Sequence, residues 1–178
     1  MIILIGASAS GKTEVAKILK QKYGFEKIIT TTTRPKRIHE VENVDYHFVS
    51  KDEFNNLLIS GSFLEVTHYQ DNFYGTNKAD LKENGLVILE PNGANAYLEV
   101  LGKTVFVVFI EASKELRKNY MTFRGDLLES IQDRIKNDDK RFKKKNILRV
   151  DLEIENKNQP LEDIAADIYN TYITRTIK

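Results

Sequence analysis

Short apolar runs alternate with amphipathic stretches along most of the chain. Residues 2–5 form a continuous apolar run that predicts a buried strand, and residues 12–23 carry apolar side chains at helical spacing. Apolar runs at 86–89 and 105–110 predict further buried strands, and 161–172 predicts a closing helix. These runs do not alternate with polar residues, as expected for parallel strands that helices cover on both faces. The pattern predicts an α/β fold with a parallel core sheet.

Two regions break this alternation. Residues 30–80 are polar and rich in aromatic residues, with short strand-like pieces, and are predicted to form a small inserted subdomain. Residues 117–146 are strongly charged and predict an exposed helical segment that acts as a lid. The predicted organisation is one domain over 1–178, with its core at 1–29, 81–116 and 147–178, the inserted subdomain at 30–80 and the lid at 117–146.

The composition narrows the classes of protein. Hydrophobic residues make up 41% of the 178 residues, which is enough for a core, and the formal net charge is +1. Such a balance disfavours a protein that coats nucleic acid or an anionic membrane. There is no cysteine, which excludes disulfides, a thiolate nucleophile and a Cys-based zinc site and agrees with a cytoplasmic location. The first apolar run is too short for a signal peptide or a membrane span.

A phosphate-binding motif follows the first predicted strand. Residues 6–13 match G-x-x-x-x-G-K-[ST], and the predicted helix begins directly after the second glycine. The glycines let successive backbone N–H groups point at phosphate oxygens, and the helix N-terminus adds partial positive charge. Lys12 supplies a mobile cation for the β- and γ-phosphates, and the Thr13 hydroxyl is placed to bind Mg²⁺. The predicted ATP site comprises Gly6, Ala7, Ser8, Ala9, Ser10, Gly11, Lys12 and Thr13.

The motif alone does not identify the reaction, but four further segments carry a specific resemblance. Their sequences are TTTTRPKR at 30–37, VDYHFVS at 44–50, FLE at 63–65 and FYGT at 73–76. In order and spacing they resemble the guanylate kinase family, and the resemblance covers about residues 1–160. It implies a P-loop kinase fold, a subdomain at 30–80 that binds the nucleotide monophosphate, and transfer of a phosphoryl group from ATP to GMP with Mg²⁺.

The resemblance also assigns the acceptor site. Two arginine forks, Arg34 and Arg37, suit a bidentate grip on a phosphate. The Glu65 carboxylate can accept from the adjacent N1–H and N2 donors of guanine, which adenine lacks. The implied GMP-binding residues are Thr30, Arg34, Arg37, Tyr46, Glu65, Tyr74, Thr76 and Asn92.

The chain departs from the family after the strand at 86–89. Family members carry two acidic residues flanking one apolar residue, whereas this chain has Glu90, Pro91 and Asn92. Glu90 keeps a carboxylate that the family places near the magnesium, so it is assigned an indirect role there. Asn92 can hydrogen-bond but cannot supply the charge of the second acid. One alternative therefore stays open, a related P-loop kinase that acts on another phosphorylated ribose compound.

The predicted lid and the C-terminal region resemble the family as well. Arg124 and Arg134 match two lid arginines, although the chain between them is about one residue shorter than the family's usual spacing. A further family arginine is replaced, and Arg117 is the candidate substitute. The charged run at 140–145 is interpreted as a solvated helix face, and Asn156 resembles the family's asparagine beside adenine. The implied catalytic residues are Lys12, Arg34, Arg124 and Arg134.

The expected partners follow from these assignments. They are ATP with Mg²⁺ and GMP or dGMP, with no nucleic acid and no membrane, and a homodimer is left open. A second alternative is a non-catalytic, guanylate-kinase-like binding module. Such modules typically have degraded phosphate loops, so the intact loop at 6–13 favours an enzyme.

Overall fold

The computed structural model describes residues 1–69 and 71–176, so the last two residues of the predicted core segment lie outside it. Among the described residues, the core sheet consists of β1 (Ile2–Ile5), β2 (Glu26–Lys27), β7 (Gly85–Ile88), β8 (Phe106–Ala112) and β9 (Leu152–Asn156). The strands pair in parallel in the order β2-β7-β1-β8-β9. The predicted α/β fold with a parallel core sheet is confirmed, and the strand ends lie within two residues of the apolar runs.

Helices cover both faces of this sheet, which explains why its strands are apolar without alternation. One face packs against α1 (Lys12–Tyr23) and α6 (Leu161–Thr176), and the other packs against α3 (Pro91–Leu101). Leu4 of β1 faces the first pair of helices, whereas Ile5 faces α3. No helix in the described ranges has the length and apolar character needed to cross a membrane.

A second sheet lies within residues 30–80. Its strands are β3 (Thr31–Thr32), β4 (His47–Phe48), β5 (Phe63–Tyr69) and β6 (Asn72–Asn77). The order is β4-β3-β6-β5, with β3 and β4 parallel and the other pairs antiparallel. The pairing of Thr31 with Gly75 and of Glu65 with Thr76 brings three of the resembling segments onto one small sheet.

Helix α2 (Lys51–Ile59) closes the far side of this second sheet. A capping box starts it, because the Ser50 side chain accepts from the Glu53 N–H and the Glu53 carboxylate accepts from the Ser50 N–H. Phe54 is buried and stacks on Phe63, with ring centroids 4.6 Å apart. Phe63 and Glu65 are two residues apart on β5, and the strand register shifts between them.

The charged segment forms two helices, α4 (Lys114–Phe123) and α5 (Leu128–Arg141). The prediction that this segment is exposed is wrong for part of it, because Met121 and Ile131 are buried. Arg117 is only 3% exposed and Asp138 is fully buried. Arg117 donates to Asp139 across 2.7 Å, so the two helices are joined by buried charged groups as well as by apolar contacts. A buried charge persists only when it is paired in this way.

Candidate active site

A cavity of about 260 Å³ lies at the carboxyl ends of β1 and β7, where ligands bind in open α/β sheets. It is bounded by the phosphate loop (residues 6–13), the second sheet and the α4–α5 region. Most of the predicted site residues line it: Gly6, Ser8, Ala9, Lys12, Thr13, Thr30, Arg34, Arg37, Tyr46, Glu65, Tyr74, Glu90, Arg124 and Arg134. The cavity thus brings the predicted donor and acceptor residues together.

The backbone of the phosphate loop has a conformation that its sequence requires. Gly6 has a φ of 155°, and a Cβ at this position would lie 2.2 Å from the carbonyl oxygen of Ile110. A side chain there would therefore push the loop away from β8. Gly11 caps α1 with a φ of 101°, which favours glycine, whereas Ala9 adopts a left-handed φ of 60° without that freedom. The loop therefore turns tightly between β1 and α1, and Gly6, Ser8, Ala9 and Lys12 of it line the cavity.

Lys12 folds back over the phosphate loop. Its ammonium donates to the carbonyl of Ala7 across 2.7 Å and lies 3.4 Å from the Ser10 hydroxyl. Desolvation by burial lowers the pKa of Lys12 to about 8, and the nearby charge of Asp138 opposes that shift. The lysine is therefore protonated at neutral pH, and phosphate oxygens can replace its present acceptors.

Asp138 of α5 reaches the same loop. Its Oδ2 accepts a hydrogen bond from the backbone N–H of Ser8 across 2.7 Å, and Oδ2 also lies 3.8 Å from Arg117. Its Oδ1 is buried and has no hydrogen-bond partner within the described ranges. Sequence reasoning missed this residue, because nothing in the charged segment distinguishes Asp138 from exposed acidic neighbours. The Asp138 carboxylate thus accepts a hydrogen bond from a loop N–H that could otherwise donate to a phosphate.

At the acceptor end, a carboxylate orients Arg34. Arg34 donates to Glu40 across 2.7 Å and lies over the Tyr46 ring at 5.4 Å, and the Tyr46 and Tyr74 rings meet at 6.1 Å. Burial opposes the change, but the hydrogen bond from Arg34 lowers the pKa of Glu40, which also accepts from the Arg37 N–H. Glu40 was not among the predicted residues, although its position close to two arginines was a usable signal. This end presents cations and hydroxyls suited to a phosphate dianion.

Glu65 also lines the cavity and is only 7% exposed. Its Oε1 accepts from the Thr76 hydroxyl across 2.8 Å, whereas its Oε2 is buried without a partner within the described chain. Desolvation by burial raises the pKa of Glu65 to about 7, despite the hydrogen bond from Thr76. Thr76 is fully buried behind Glu65 and does not line the cavity itself. Glu65 therefore offers one free acceptor to a ligand.

Arg124 and Arg134 share one carboxylate. Asp126 accepts from Nε of Arg124 across 2.9 Å and from Nη1 of Arg134 across 3.3 Å. The hydrogen bond from Arg124 is the main cause of a lowered pKa for Asp126. Asp126 was missed by the sequence reasoning, although it lies only two positions after Arg124. The pairing holds both arginines on the cavity wall.

The oxygen donors beside Lys12 fit a magnesium ion that arrives with a nucleotide. Thr13 and Glu90 both line the cavity and offer the hard oxygen ligands that Mg²⁺ prefers. Among the described residues, no group of three or more His, Cys, Asp or Glu side chains forms a complete metal site. Mg²⁺ usually keeps several waters and is bound through substrate phosphates with one or two protein ligands.

Glu90 is held by Arg141, whose Nη1 donates to both carboxylate oxygens across 2.9 and 2.8 Å. The guanidinium also lies over the Tyr69 ring at 4.6 Å. The interpretation of 140–145 as a solvated face is wrong for Arg141, although the four lysines of this run are exposed. Burial raises the pKa of Glu90 and Arg141 opposes the shift. Arg141 thereby joins α5 to the core and to the second sheet.

Besides Thr76 and the loop residues Ala7, Ser10 and Gly11, three further predicted residues do not line this cavity. Asn92 is exposed on α3, and its neighbour Gly93 lines the cavity instead. Arg117, the candidate substitute for a lid arginine, is buried against Asp139. Asn156 is buried and donates to the carbonyl of Ser10 across 3.0 Å. It supports the phosphate loop from behind and lines a separate cleft of about 340 Å³ between α4 and the end of β9.

Comparisons with known proteins identify the family of the chain. The family model for guanylate kinase matches residues 1–171. Guanylate kinase of Clostridioides difficile strain 630 is 34% identical over 137 residues, which cover 73% of this chain and 67% of that protein. Guanylate kinase of Anaplasma phagocytophilum strain HZ is 33% identical over 146 residues, covering 76% and 70%.

A solved structure extends the match to the whole fold. The crystal structure of guanylate kinase from Anaplasma phagocytophilum superposes with a TM-score of 0.78 at 25% identity, covering 100% of this chain and 86% of that one. The match includes the phosphate loop, the second sheet and the charged helices that surround the cavity. The chain therefore belongs to the guanylate kinase family.

Proposed function

We propose that the protein transfers the γ-phosphoryl group of ATP to GMP, giving ADP and GDP. The observation that carries the proposal is the free Oε2 of Glu65, which lies in the same cavity as the phosphate-loop lysine. A buried carboxylate oxygen without a partner is unfavourable unless a ligand supplies a donor. Guanine supplies two adjacent N–H donors, and adenine has a lone pair at the corresponding N1.

The donor nucleotide is bound at the phosphate loop. The N–H groups of residues 6–13 and the N-terminus of α1 receive the β- and γ-phosphates, and Lys12 exchanges its contact with Ala7 for phosphate oxygens. Thr13 and, indirectly, Glu90 hold Mg²⁺, which neutralises charge on the phosphates when bound. Asn156 contributes beside the adenine, from the cleft next to the loop.

The acceptor phosphate is held at the opposite end of the cavity. Arg34 and Arg37 grip the dianion, and the hydroxyls of Tyr46 and Tyr74 add hydrogen bonds. Glu40 keeps the Arg34 fork in one orientation. The attacking oxygen belongs to a phosphate that is already anionic, so the reaction needs alignment and neutralisation of charge and no general base.

Residues 117–146 act as a lid over the two nucleotides. Arg124 and Arg134 contact the transferring group, where a preorganised cation stabilises developing charge. Because Asp126 binds both guanidinium groups, the arginines move together with the α4–α5 turn. Closure excludes water, which would otherwise hydrolyse ATP.

The test is an assay of ADP release with GMP, dGMP, AMP and UMP as acceptors. We expect GMP to exceed AMP by at least about 10² in kcat/KM, because a site built to hydrogen-bond its substrate rejects analogues that lack the donors. Equal use of AMP and GMP would remove the guanine assignment and leave a P-loop kinase of other specificity. ATP binding without phosphorylation of any monophosphate would favour a phosphorylated ribose compound as acceptor. Asn92, the reason for that alternative, is exposed and lies outside the cavity.

A further inference from the structure

The two oxygens of the Glu65 carboxylate have different surroundings. Oε1 is already engaged by the Thr76 hydroxyl at 2.8 Å. Oε2 is buried and has no partner among the described residues. A ligand that donates two adjacent hydrogen bonds can use the remaining lone pair of Oε1, but it needs unobstructed access to Oε2. What lies beside Oε2 therefore decides whether the second donor can bind.

Gly93 is the residue beside Oε2. It lies in the first turn of α3 and lines the cavity. A Cβ on Gly93 would lie 3.2 Å from Oε2 and 3.5 Å from Cδ of Glu65, whereas the next neighbour, Leu89 Cβ, would be 3.6 Å away. The carboxylate is thus the first group that any side chain at position 93 would meet, and a methyl group there would cover Oε2.

The backbone gives no other reason for glycine at this position. Gly93 is helical and is not among the glycines with a positive φ, so an L residue fits its conformation. A glycine within a helix is less favourable than alanine, so Gly93→Ala is expected to favour α3 itself. The position therefore carries a residue that suits the ligand site and not the helix.

We infer that Gly93 is a specificity-determining residue of the acceptor site, because its missing side chain leaves Oε2 of Glu65 open to an N–H donor of the base. The inference rests on the proposed function, in which guanine is the base. This role does not require Gly93 itself to contact the base. It acts by the space that it leaves in front of the carboxylate.

The experiment compares Gly93→Ala with the wild type by steady-state kinetics and thermal unfolding of the whole chain. We expect KM for GMP to rise by at least about tenfold, the loss associated with an obstructed hydrogen bond to a charged group. KM for ATP is expected to stay unchanged, and Tm is expected to stay equal or to rise. A fall in Tm with equal damage to both nucleotides would mean general distortion of α3 and would overturn the inference.

Gly24→Ala is the matched control. Gly24 caps α1 with a φ of 74°, and an added Cβ would have no atom within 4 Å. This substitution is expected to lower Tm by about 2–4 °C, because alanine is strained at that φ, and to leave KM for GMP unchanged. The two variants therefore separate an effect on stability from an effect on the acceptor.

A double-mutant cycle tests whether Gly93 acts through Glu65. In a Glu65→Ala background there is no Oε2 to cover, so Gly93→Ala should reduce kcat/KM for GMP no further. If the wild type prefers GMP, two results would overturn this inference while leaving the proposed function in place. One is an equal loss on Gly93→Ala in both backgrounds, and the other is an unchanged KM for GMP in the Gly93→Ala single variant. A wild type that uses AMP as readily as GMP would instead remove the proposed function.

Discussion

The carboxylate of Asp138 accepts a hydrogen bond from the backbone N–H of Ser8 across 2.7 Å, although 130 residues separate them in the chain. Ser8 belongs to the phosphate loop, whose N–H groups are suited to phosphate oxygens. Asp138 lies on α5, within the charged segment whose Arg124 and Arg134 line the cavity. The contact means that an anionic side chain holds part of the phosphate loop in this structure and also ties α5 to it.

Asp138→Asn is expected to tighten ATP binding. The amide oxygen can still accept from Ser8, but the negative charge that opposes the phosphates is gone. We expect Kd for ATP to fall by roughly tenfold, or about 1.4 kcal/mol, when it is measured by calorimetry at about pH 6.5, where Lys12 stays protonated. Asp139→Asn removes the same charge from the adjacent residue without touching Ser8, and should change Kd less. Weaker ATP binding in Asp138→Asn would show that the carboxylate supports the loop.

Lys12→Ala is expected to remove most turnover without unfolding the protein. Within the described part of the chain, the side chain of Lys12 donates hydrogen bonds only to the phosphate loop itself, at Ala7 and Ser10. Losing one preorganised contact to the transferring phosphate typically reduces the rate by about 10²–10³. Lys17→Ala is the control, because Lys17 lies on the same helix and is exposed in a pair with Glu14. A folded Lys12→Ala protein with near wild-type kcat would contradict the donor site.

Arg34→Ala is expected to damage acceptor binding selectively. The guanidinium lines the cavity and donates to Glu40 across 2.7 Å. Its loss removes the charged partner of Glu40, which keeps only the Arg37 N–H among the described residues, and a cation from the acceptor phosphate. Removing one partner of such a charge pair typically costs about 2–5 kcal/mol. Separate titrations should show a higher KM for GMP with little change for ATP. Lys36→Ala, at an exposed position nearby, should leave both unchanged.

GMP binding is expected to weaken as the pH falls through the pKa of Glu65. Burial raises the pKa of this carboxyl to about 7, and only its ionised form can accept both guanine donors. Kd for GMP should therefore increase below about pH 7, whereas Kd for ATP should not follow the same curve. The GMP phosphate also titrates near pH 6, so Glu65→Gln is the control. In this variant, Kd for GMP should lose the pH dependence that comes from Glu65 and keep the one that comes from the phosphate.

The same pKa predicts that Glu65→Gln stabilises the ligand-free protein at alkaline pH. The carboxyl binds its proton more tightly in the folded state, because burial raises its pKa from the ordinary value of 4.5 to about 7. The contribution of this proton to the free energy of unfolding is fully present below the unfolded-state pKa and is lost as the pH rises through the folded-state pKa. The difference amounts to about 3 kcal/mol, so Tm of Glu65→Gln relative to wild type should rise between about pH 5 and pH 8. A constant difference across that range would contradict the raised pKa.

The core elements were predictable because their signals are local. The apolar run at 2–5, the glycine-rich loop at 6–13 and the helical stripe at 12–23 each predicted the structure that was found. Arg34 and Arg37 of the motif at 30–37 and Glu65 line one cavity together with the phosphate loop. Their roles toward ATP and GMP stay predictions for the experiments above.

The charged segment was predicted less well, because sequence patterns do not distinguish a buried charge from an exposed one. Arg117 and Asp138 have the same composition around them as the exposed lysines of α5, yet both are buried. Arg141 follows exposed Lys140, yet it binds Glu90, 51 residues away. Asn156 donates to the phosphate loop at Ser10, 146 residues away, a contact that the sequence did not predict; its role at the adenine stays a prediction.

The sequence by itself determined the parallel α/β core, the phosphate loop and the order of the acceptor segments, since hydrophobic period, glycine placement and motif spacing act over a few residues. Only the tertiary structure decided which polar groups meet. Asp138 lies on Ser8 because α5 packs over the loop, and Gly93 lies beside Oε2 of Glu65 because α3 packs against β5. Such contacts join residues far apart in the chain, and their geometry depends on how whole elements pack.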